Sequence, residues 1–235
     1  ETEEVAKSTE EQEKRKEQKI ELWVAILLGV AAIITAWATW MSSIHGGNQT
    51  ANINQANNLK TEANTLWLQG NQNYTQDLLT WNKVSDYVQE LIVTKDDQAY
   101  NMIVNKINSA TKFCEDTFSV AMDWALSQLD SLGKLDVNDE DFDIPSPFEM
   151  EGFIYHYSEP SSLKYEEAEN YDKLASADGI NADKFNFVST VLSIVLFLLG
   201  IVGTLKGLPN RKKVVLVSFV LMVICVIYMF TIPMP

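Results

Sequence analysis

Three uncharged apolar blocks dominate the pattern of hydrophobic and polar positions. They are residues 22–41 (LWVAILLGVAAIITAWATWM), 187–205 (FVSTVLSIVLFLLGIVGTL) and 214–232 (VVLVSFVLMVICVIYMFTI). A helix needs about 20 apolar residues to cross a hydrocarbon core of roughly 30 Å. One such block could be a buried core helix, but a chain of 235 residues leaves too little protein to bury three. The pattern therefore predicts an all-α membrane protein with three transmembrane helices and an extramembrane helical bundle.

The region between the first two blocks, residues 43–185, shows helical periodicity. From Ala51 to Ile92, apolar residues recur at steps of three and four, which predicts one helix. Thr94 and Asp97 resemble a capping box and predict the start of a second helix. That helix is expected to continue to Gly133, which is placed to act as its C-terminal cap. Only a few residues join the two helices, so we expect them to pack antiparallel.

The remaining polar segments predict a loop, a further helix and a charged tail. Residues 134–160 contain three prolines and are expected to form a loop. A helix should restart at Ser161 or Ser162, and the pair Asp178–Gly179 predicts a kink or break before the second block. The charged segment 1–20 is expected to be either a solvated helix or disordered. The region 43–185 is thus interpreted as an acidic three-helix domain.

Charge sets the expected orientation and excludes one class of partner. Basic residues cluster before the first block and between the second and third: Lys14, Arg15, Lys16, Lys19, Lys206, Arg211, Lys212 and Lys213. Such clusters favour the cytoplasmic side, which predicts a cytoplasmic N-terminus and 206–213 link and an extracytoplasmic 43–185 region, in the inner cell membrane. The net charge of −14 excludes nucleic acid as an expected partner, because nucleic acid requires a basic surface.

Residues with catalytic or metal-binding chemistry are few. A weak candidate for a divalent cation is the acidic loop that contains Asp136, Asp139, Glu140, Asp141 and Asp143. It lacks the glycine of an EF-hand loop, so a solvated acidic loop is the preferred interpretation. His45 and His156 stand alone, which is more typical of interfacial or packed histidines than of metal ligands. We expect no catalytic residue, no cofactor and no enzymatic activity.

Small residues in the apolar blocks are spaced for close contact between helices. Gly29 and Ala32 lie in the first block, and Gly200 and Gly203 in the second. Small side chains let helix backbones approach each other within a bilayer. Packing within one chain and contact between chains both remain open, and the second is favoured because three helices alone bury little. The expected partners are membrane lipid, further copies of the chain and an unidentified protein.

The order of these segments resembles an uncharacterised bacterial membrane-protein family, the domain of unknown function numbered four-three-three-seven. The similarity lies in the polar helix after the first block, from Asn54-Gln55-Ala56-Asn57 through Trp67 to Tyr74–Gln76, and in the segment Tyr165–Phe187. The loop 138–160 departs from the family pattern, as does the lack of histidines before the second block. The resemblance implies a membrane protein with three spans and assigns no activity.

Two functional hypotheses follow. The first is a non-enzymatic, self-assembling membrane protein that presents an acidic helical domain for protein interaction or scaffolding. The second is an ion-channel subunit, in which Ser189, Thr190 and Ser193 would line an uncharged pore, with Asp183 at its mouth. Both hypotheses require an oligomer.

Overall fold

The computed structural model describes residues 2–112, 114, 116–131, 144–205 and 210–234. Within them the chain forms five α-helices: α1 (Thr2–Val93), α2 (Asp97–Thr111), α3 (Asp116–Ser131), α4 (Glu159–Thr204) and α5 (Arg211–Met229). Two short 3-10 helices, Pro147–Glu149 and Phe153–Tyr157, precede α4. The described ranges contain no strand, which confirms the all-α prediction.

Three of these helices are long and apolar enough to cross a membrane. They are α1, α4 and α5, and each contains an 18-residue window with a mean hydropathy between 2.2 and 2.4. The three helices contain or overlap the blocks that the sequence identified, although α5 begins three residues before the third block and ends at Met229, three residues before the end of that block. The prediction of three candidate transmembrane helices is therefore confirmed.

Helix α1 is longer than the sequence suggested. The first block and the helix from Ala51 to Ile92 were expected to be separate elements, but one helix runs from Thr2 to Val93. The charged segment, from residue 2 onwards, is also helical. Gly46 and Gly47 lie between the two predicted segments, and each costs an interior helix only about 1 kcal/mol relative to alanine. Because the first proline is Pro145, every residue of α1 keeps its backbone N–H donor.

The second predicted helix begins later and is divided in two. Asp96, rather than Thr94, is the N-cap of α2, and its carboxylate accepts from the Gln98 N–H at 2.9 Å. The Thr94 hydroxyl instead donates to the Glu90 carbonyl at the end of α1. A single helix to Gly133 was expected, but α2 ends at Thr111 and α3 begins at Asp116.

The division falls at a local turn. The Thr111 hydroxyl donates to carbonyls of the last turn of α2, and the Cys114 N–H donates to the Thr111 carbonyl at 3.1 Å. Side-chain bonds of this kind compete with the helical ladder. Gly133 lies outside the described residues, so its predicted role as a cap stays a prediction.

Helix α4 differs from the sequence prediction in two ways. It begins at Glu159 instead of Ser161 or Ser162, because a proline such as Pro160 is tolerated in the first turn of a helix. It also passes through Asp178–Gly179 without a break. A Cβ added at Gly179 would meet the Gln49 side chain, so this glycine allows α1 and α4 to approach each other closely.

The chain divides into two compact units. Unit 1 comprises residues 1–56 and 170–235, and unit 2 comprises residues 57–169. The ends of the predicted 43–185 domain, 43–56 and 170–185, therefore belong to unit 1. The core of unit 1 includes Val24, Ala31, Ala38, Phe185, Val188, Leu192, Val195, Leu199, Val202, Met222 and Cys225. The core of unit 2 includes Trp81, Val84, Val88, Ile103, Ile107, Phe118, Ala121, Met122, Ala125, Ile144 and Phe153.

In unit 1 the buried side chain of Arg211 joins α5 to the end of α4. Its Nη2 donates to the Val202 carbonyl at 2.9 Å. The last carbonyls of a helix have no partner within that helix, so the contact satisfies one of them. It also fixes the start of α5 beside the end of α4.

Candidate functional site

A buried polar cluster lies in unit 1 around His45 of α1. The imidazole is 1% exposed and stacks on the Phe185 ring, with the two centroids 5.8 Å apart. Its Nδ1 lies 2.7 Å from Asp178 Oδ1, and its Nε2 lies 3.1 Å from the carbonyl oxygen of Pro233. Asn52 donates from Nδ2 to Asp178 Oδ2 at 3.2 Å. The ring thus joins α1, α4 and the segment after α5.

Two further polar contacts continue along the interface between α1 and α4. The buried Ser42 hydroxyl donates to the Ala182 carbonyl at 2.9 Å, and the hydroxyls of Thr39 and Ser189 lie 3.0 Å apart. Together with the His45 cluster they form a polar seam beside an otherwise apolar core. Within a bilayer, hydrogen bonds between helices of this kind help to hold the helices together.

The sequence left His45 as either an interfacial or a packed histidine; the structure buries it, and its partners were not predicted. Asp178 was interpreted as part of a kink or break in a helix, and Asn52 was not identified as a candidate. Ser42, His45 and Asn52 recur at steps of three and seven, which places them on one helical face. That face also carries the buried Ala38. If α1 had been recognised as one continuous helix, this shared face would have indicated that the polar residues are buried together.

The small residues predicted for oligomer contact occupy different environments. Gly29 and Ala32 are exposed on α1, and a Cβ added at Gly29 would meet nothing within 4 Å. Gly200 is partly exposed and equally open. A Cβ on Gly203 would lie 3.5 Å from Val24 Cγ1, so Gly203 faces α1 of its own chain.

The three serine and threonine residues predicted to line a pore have their hydroxyls engaged. Thr190 donates to the Asn186 carbonyl and Ser193 to the Ser189 carbonyl, each at 2.9 Å, while the Ser189 hydroxyl meets Thr39. Thr190 and Ser193 are exposed on the single chain, and so is Asp183. Serine and threonine hydroxyls in membrane helices commonly donate to a carbonyl of the preceding turn. These hydrogen bonds are therefore expected both in a pore and in contact with lipid.

Unit 2 holds a second buried polar contact, at Asp77 of α1. The Tyr157 hydroxyl donates to Asp77 Oδ2 at 2.7 Å, and the ring of Tyr157 packs edge-on against Tyr74. Burial raises the pKa of the Cys114 thiol, and the negative charge of Asp77 raises it further. A raised pKa keeps the thiol protonated at neutral pH, so Cys114 has the character of a packing residue instead of a nucleophile.

A shallow groove of about 660 Å³ runs along the surface of unit 2. It is lined by uncharged side chains of α1 together with one lysine and one alanine: Leu68, Asn71, Gln72, Thr75, Gln76, Leu79, Thr80, Lys83 and Ala110. Amide and hydroxyl groups both donate and accept hydrogen bonds. The groove therefore combines a mainly apolar surface with amide and hydroxyl groups, and Lys83 is its one charged lining residue among those that the structure describes, on a unit whose sequence is strongly acidic.

No group of metal-binding side chains occurs among the residues that the structure describes. The acidic loop candidates Asp136, Asp139, Glu140, Asp141 and Asp143 lie outside them, so that weak assignment stays a prediction.

Comparison with protein-family models, with curated proteins and with solved structures found no match to this chain. The resemblance to the bacterial membrane-protein family stays a prediction.

Proposed function

We propose that the chain is a non-enzymatic, homo-oligomeric integral membrane protein whose acidic helical unit serves as a scaffold for protein interaction. The proposal is carried by one surface of α1, which we name the open face and define by Ala25, Gly29, Ala32 and Ala36. All four residues are exposed on the single chain.

The open face is distinct from the face that α1 uses within its own chain. Ala31 and Ala38 are fully buried in the core of unit 1, whereas the open face lies to one side of them. Small residues lie on the open face where larger apolar residues would suit lipid equally well. Gly29 also weakens the helix by about 1 kcal/mol relative to alanine, and no neighbour among the described residues requires a glycine there. Close approach of a helix from another copy of the chain would explain why a glycine occurs at this position.

The scaffold role is supported by the charge of unit 2. Its sequence, residues 57–169, contains 7 Lys and Arg against 21 Asp and Glu. A surface of this charge stays solvated and attracts basic partners over a distance of about a Debye length. Oligomers held together at the spanning segments would present several such surfaces side by side.

Mass measurement of the full chain in lipid nanodiscs tests self-association. Wild type is expected at a multiple of the single-chain mass. Gly29→Leu combined with Ala32→Leu should reduce it to a single chain, because the added side chains keep the helices apart. The matched control is Val30→Leu, which adds bulk to an exposed residue outside the open face. A wild-type monomer, or equal dissociation of the control, contradicts the proposal.

Conductance of the same preparation in planar bilayers separates the scaffold from the channel hypothesis. The scaffold predicts oligomers without ion current at any voltage. Reproducible current that Ser193→Leu abolishes would favour the channel, with Ser189, Thr190 and Ser193 lining its pore.

A further inference from the structure

We propose that His45 is a buried imidazolium that acts as a pH-dependent latch for the segment following α5. The inference does not depend on self-association. It rests on what the two ring nitrogens contact.

Both neighbours of the ring can only accept hydrogen bonds. Asp178 Oδ1 belongs to a carboxylate and lies 2.7 Å from Nδ1, and the carbonyl oxygen of Pro233 lies 3.1 Å from Nε2. A neutral imidazole has one N–H donor and one lone pair, whereas the protonated ring has two donors. Only the imidazolium makes both contacts, since a neutral ring would direct a lone pair at one of the acceptors.

Deprotonation should break the contact with Pro233. A hydrogen bond to a carboxylate is stronger than one to a neutral carbonyl, so Nδ1 keeps its proton and Nε2 loses it. The lone pair on Nε2 then faces the lone pairs of the Pro233 oxygen, an unfavourable contact for a ring that is 1% exposed. The expected response is movement of the segment Thr231–Met234 away from the ring.

Among the described ionisable groups around His45, Asp178 is the one that faces the ring. On α4, Asp183 is exposed and Lys184 donates to Asn181. On α1, the neutral amide of Asn52 donates to the other carboxylate oxygen of Asp178. The segment after α5 contains no ionisable side chain between Thr231 and Met234. Tyr228, near the end of α5, packs edge-on against Phe187 instead.

Ile232 provides a direct readout of the latch. It is 4% exposed, part of the core of unit 1 and next to Pro233. A thiol introduced by Ile232→Cys, in a Cys114→Ala, Cys225→Ala background, reacts with a maleimide only when this segment opens. A second chain with Thr50→Cys, at an exposed position of α1, corrects for the effect of pH on thiol reactivity.

The experiment measures the ratio of the two labelling rates between pH 5.5 and 8.5 in the full chain. Loss of one hydrogen bond to a charged donor should raise the ratio about tenfold as the pH rises. Nitrogen-15 NMR of the two histidines, assigned with His156→Gln, should show the second proton leaving His45 over the same pH range.

Two variants extend the test. Asp178→Asn removes the charge that favours the imidazolium, so the pH at which the segment opens should fall. His45→Gln should abolish the pH dependence of the ratio. A ratio that stays constant across the range in wild type, or a neutral His45 at every pH, overturns the proposal even if both variants fail to fold.

Discussion

Replacement of Gly70 by alanine tests the packing of unit 2 most sharply. Gly70 is buried in the middle of α1, and a Cβ at this position would collide with the backbone carbonyl of Tyr157 and lie 3.0 Å from its carbonyl carbon. The neighbour is backbone at the end of a 3-10 helix, so it cannot turn aside as a flexible side chain would. Gly70→Ala must therefore displace the whole Phe153–Tyr157 turn.

The expected change in the free energy of unfolding is the sum of one stabilising and two destabilising contributions. Alanine in place of an interior glycine stabilises a helix by roughly 0.5–1 kcal/mol. Overpacking of a closed site costs about 1–3 kcal/mol. Displacement of the turn also strains the 2.7 Å hydrogen bond from Tyr157 to Asp77, a contact with a charged group worth about 1.5–3 kcal/mol when lost. Partial loss of this bond gives a net destabilisation of about 1–2 kcal/mol.

Hydrogen–deuterium exchange of the full chain in detergent measures this change locally. Peptides from α2 and from Phe153–Tyr157 should exchange about 5–30 times faster in Gly70→Ala, the factor that corresponds to 1–2 kcal/mol. Gln69→Ala is the matched control, because Gln69 is exposed one residue earlier in the same helix. If Gly70→Ala exchanges at the control rate or more slowly, Tyr157 does not lie against Gly70 as described.

Three other predictions concern single contacts. The rate of alkylation of Cys114 should reach half its maximum at a higher pH than that of a free thiol, because burial and the charge of Asp77 raise the pKa of Cys114. Asp77→Asn should lower this midpoint part of the way toward that of a free thiol. Tyr157→Phe should destabilise unit 2 by about 1–3 kcal/mol in the same exchange assay, because the buried Asp77 carboxylate loses a donor; no change would mean that other groups satisfy it. Arg211→Gln should lower the thermal unfolding temperature of unit 1, because the Val202 carbonyl loses a charged donor, whereas the exposed neighbour Lys212, replaced by Gln, should leave it unchanged.

The spanning segments and the all-helical class could be predicted from sequence, because a bilayer imposes a length and a polarity that local composition records. The boundaries of the other helices could not. Gly46–Gly47 and Asp178–Gly179 contain helix-weakening residues, but the penalty of about 1 kcal/mol per glycine is small beside the packing of α1 against α4. The break near Cys114 occurs inside an uninterrupted apolar stripe, so periodicity could not reveal it.

The polar seam was missed for a different reason. His45 and Asp178 are 133 positions apart, and their contact depends on the alignment of two long helices. Local patterns show which face a residue occupies but not which residue it meets on another helix. Gly29 and Ala32, by contrast, could be identified from sequence, since small residues at helical spacing are visible in one segment; their role in contact between chains stays a prediction.

Sidedness of the chain in intact cells tests the central claim most directly. We expect unit 2 outside the cytoplasm and the start of α5 inside, as the basic clusters predict, with α4 crossing the membrane between them. In a background without Cys114 and Cys225, a membrane-impermeant maleimide should label Gln69→Cys in unit 2 in whole cells, and Lys212→Cys only after the cells are opened. Labelling of both positions from the same side, or release of the chain from membranes without detergent, would contradict the account.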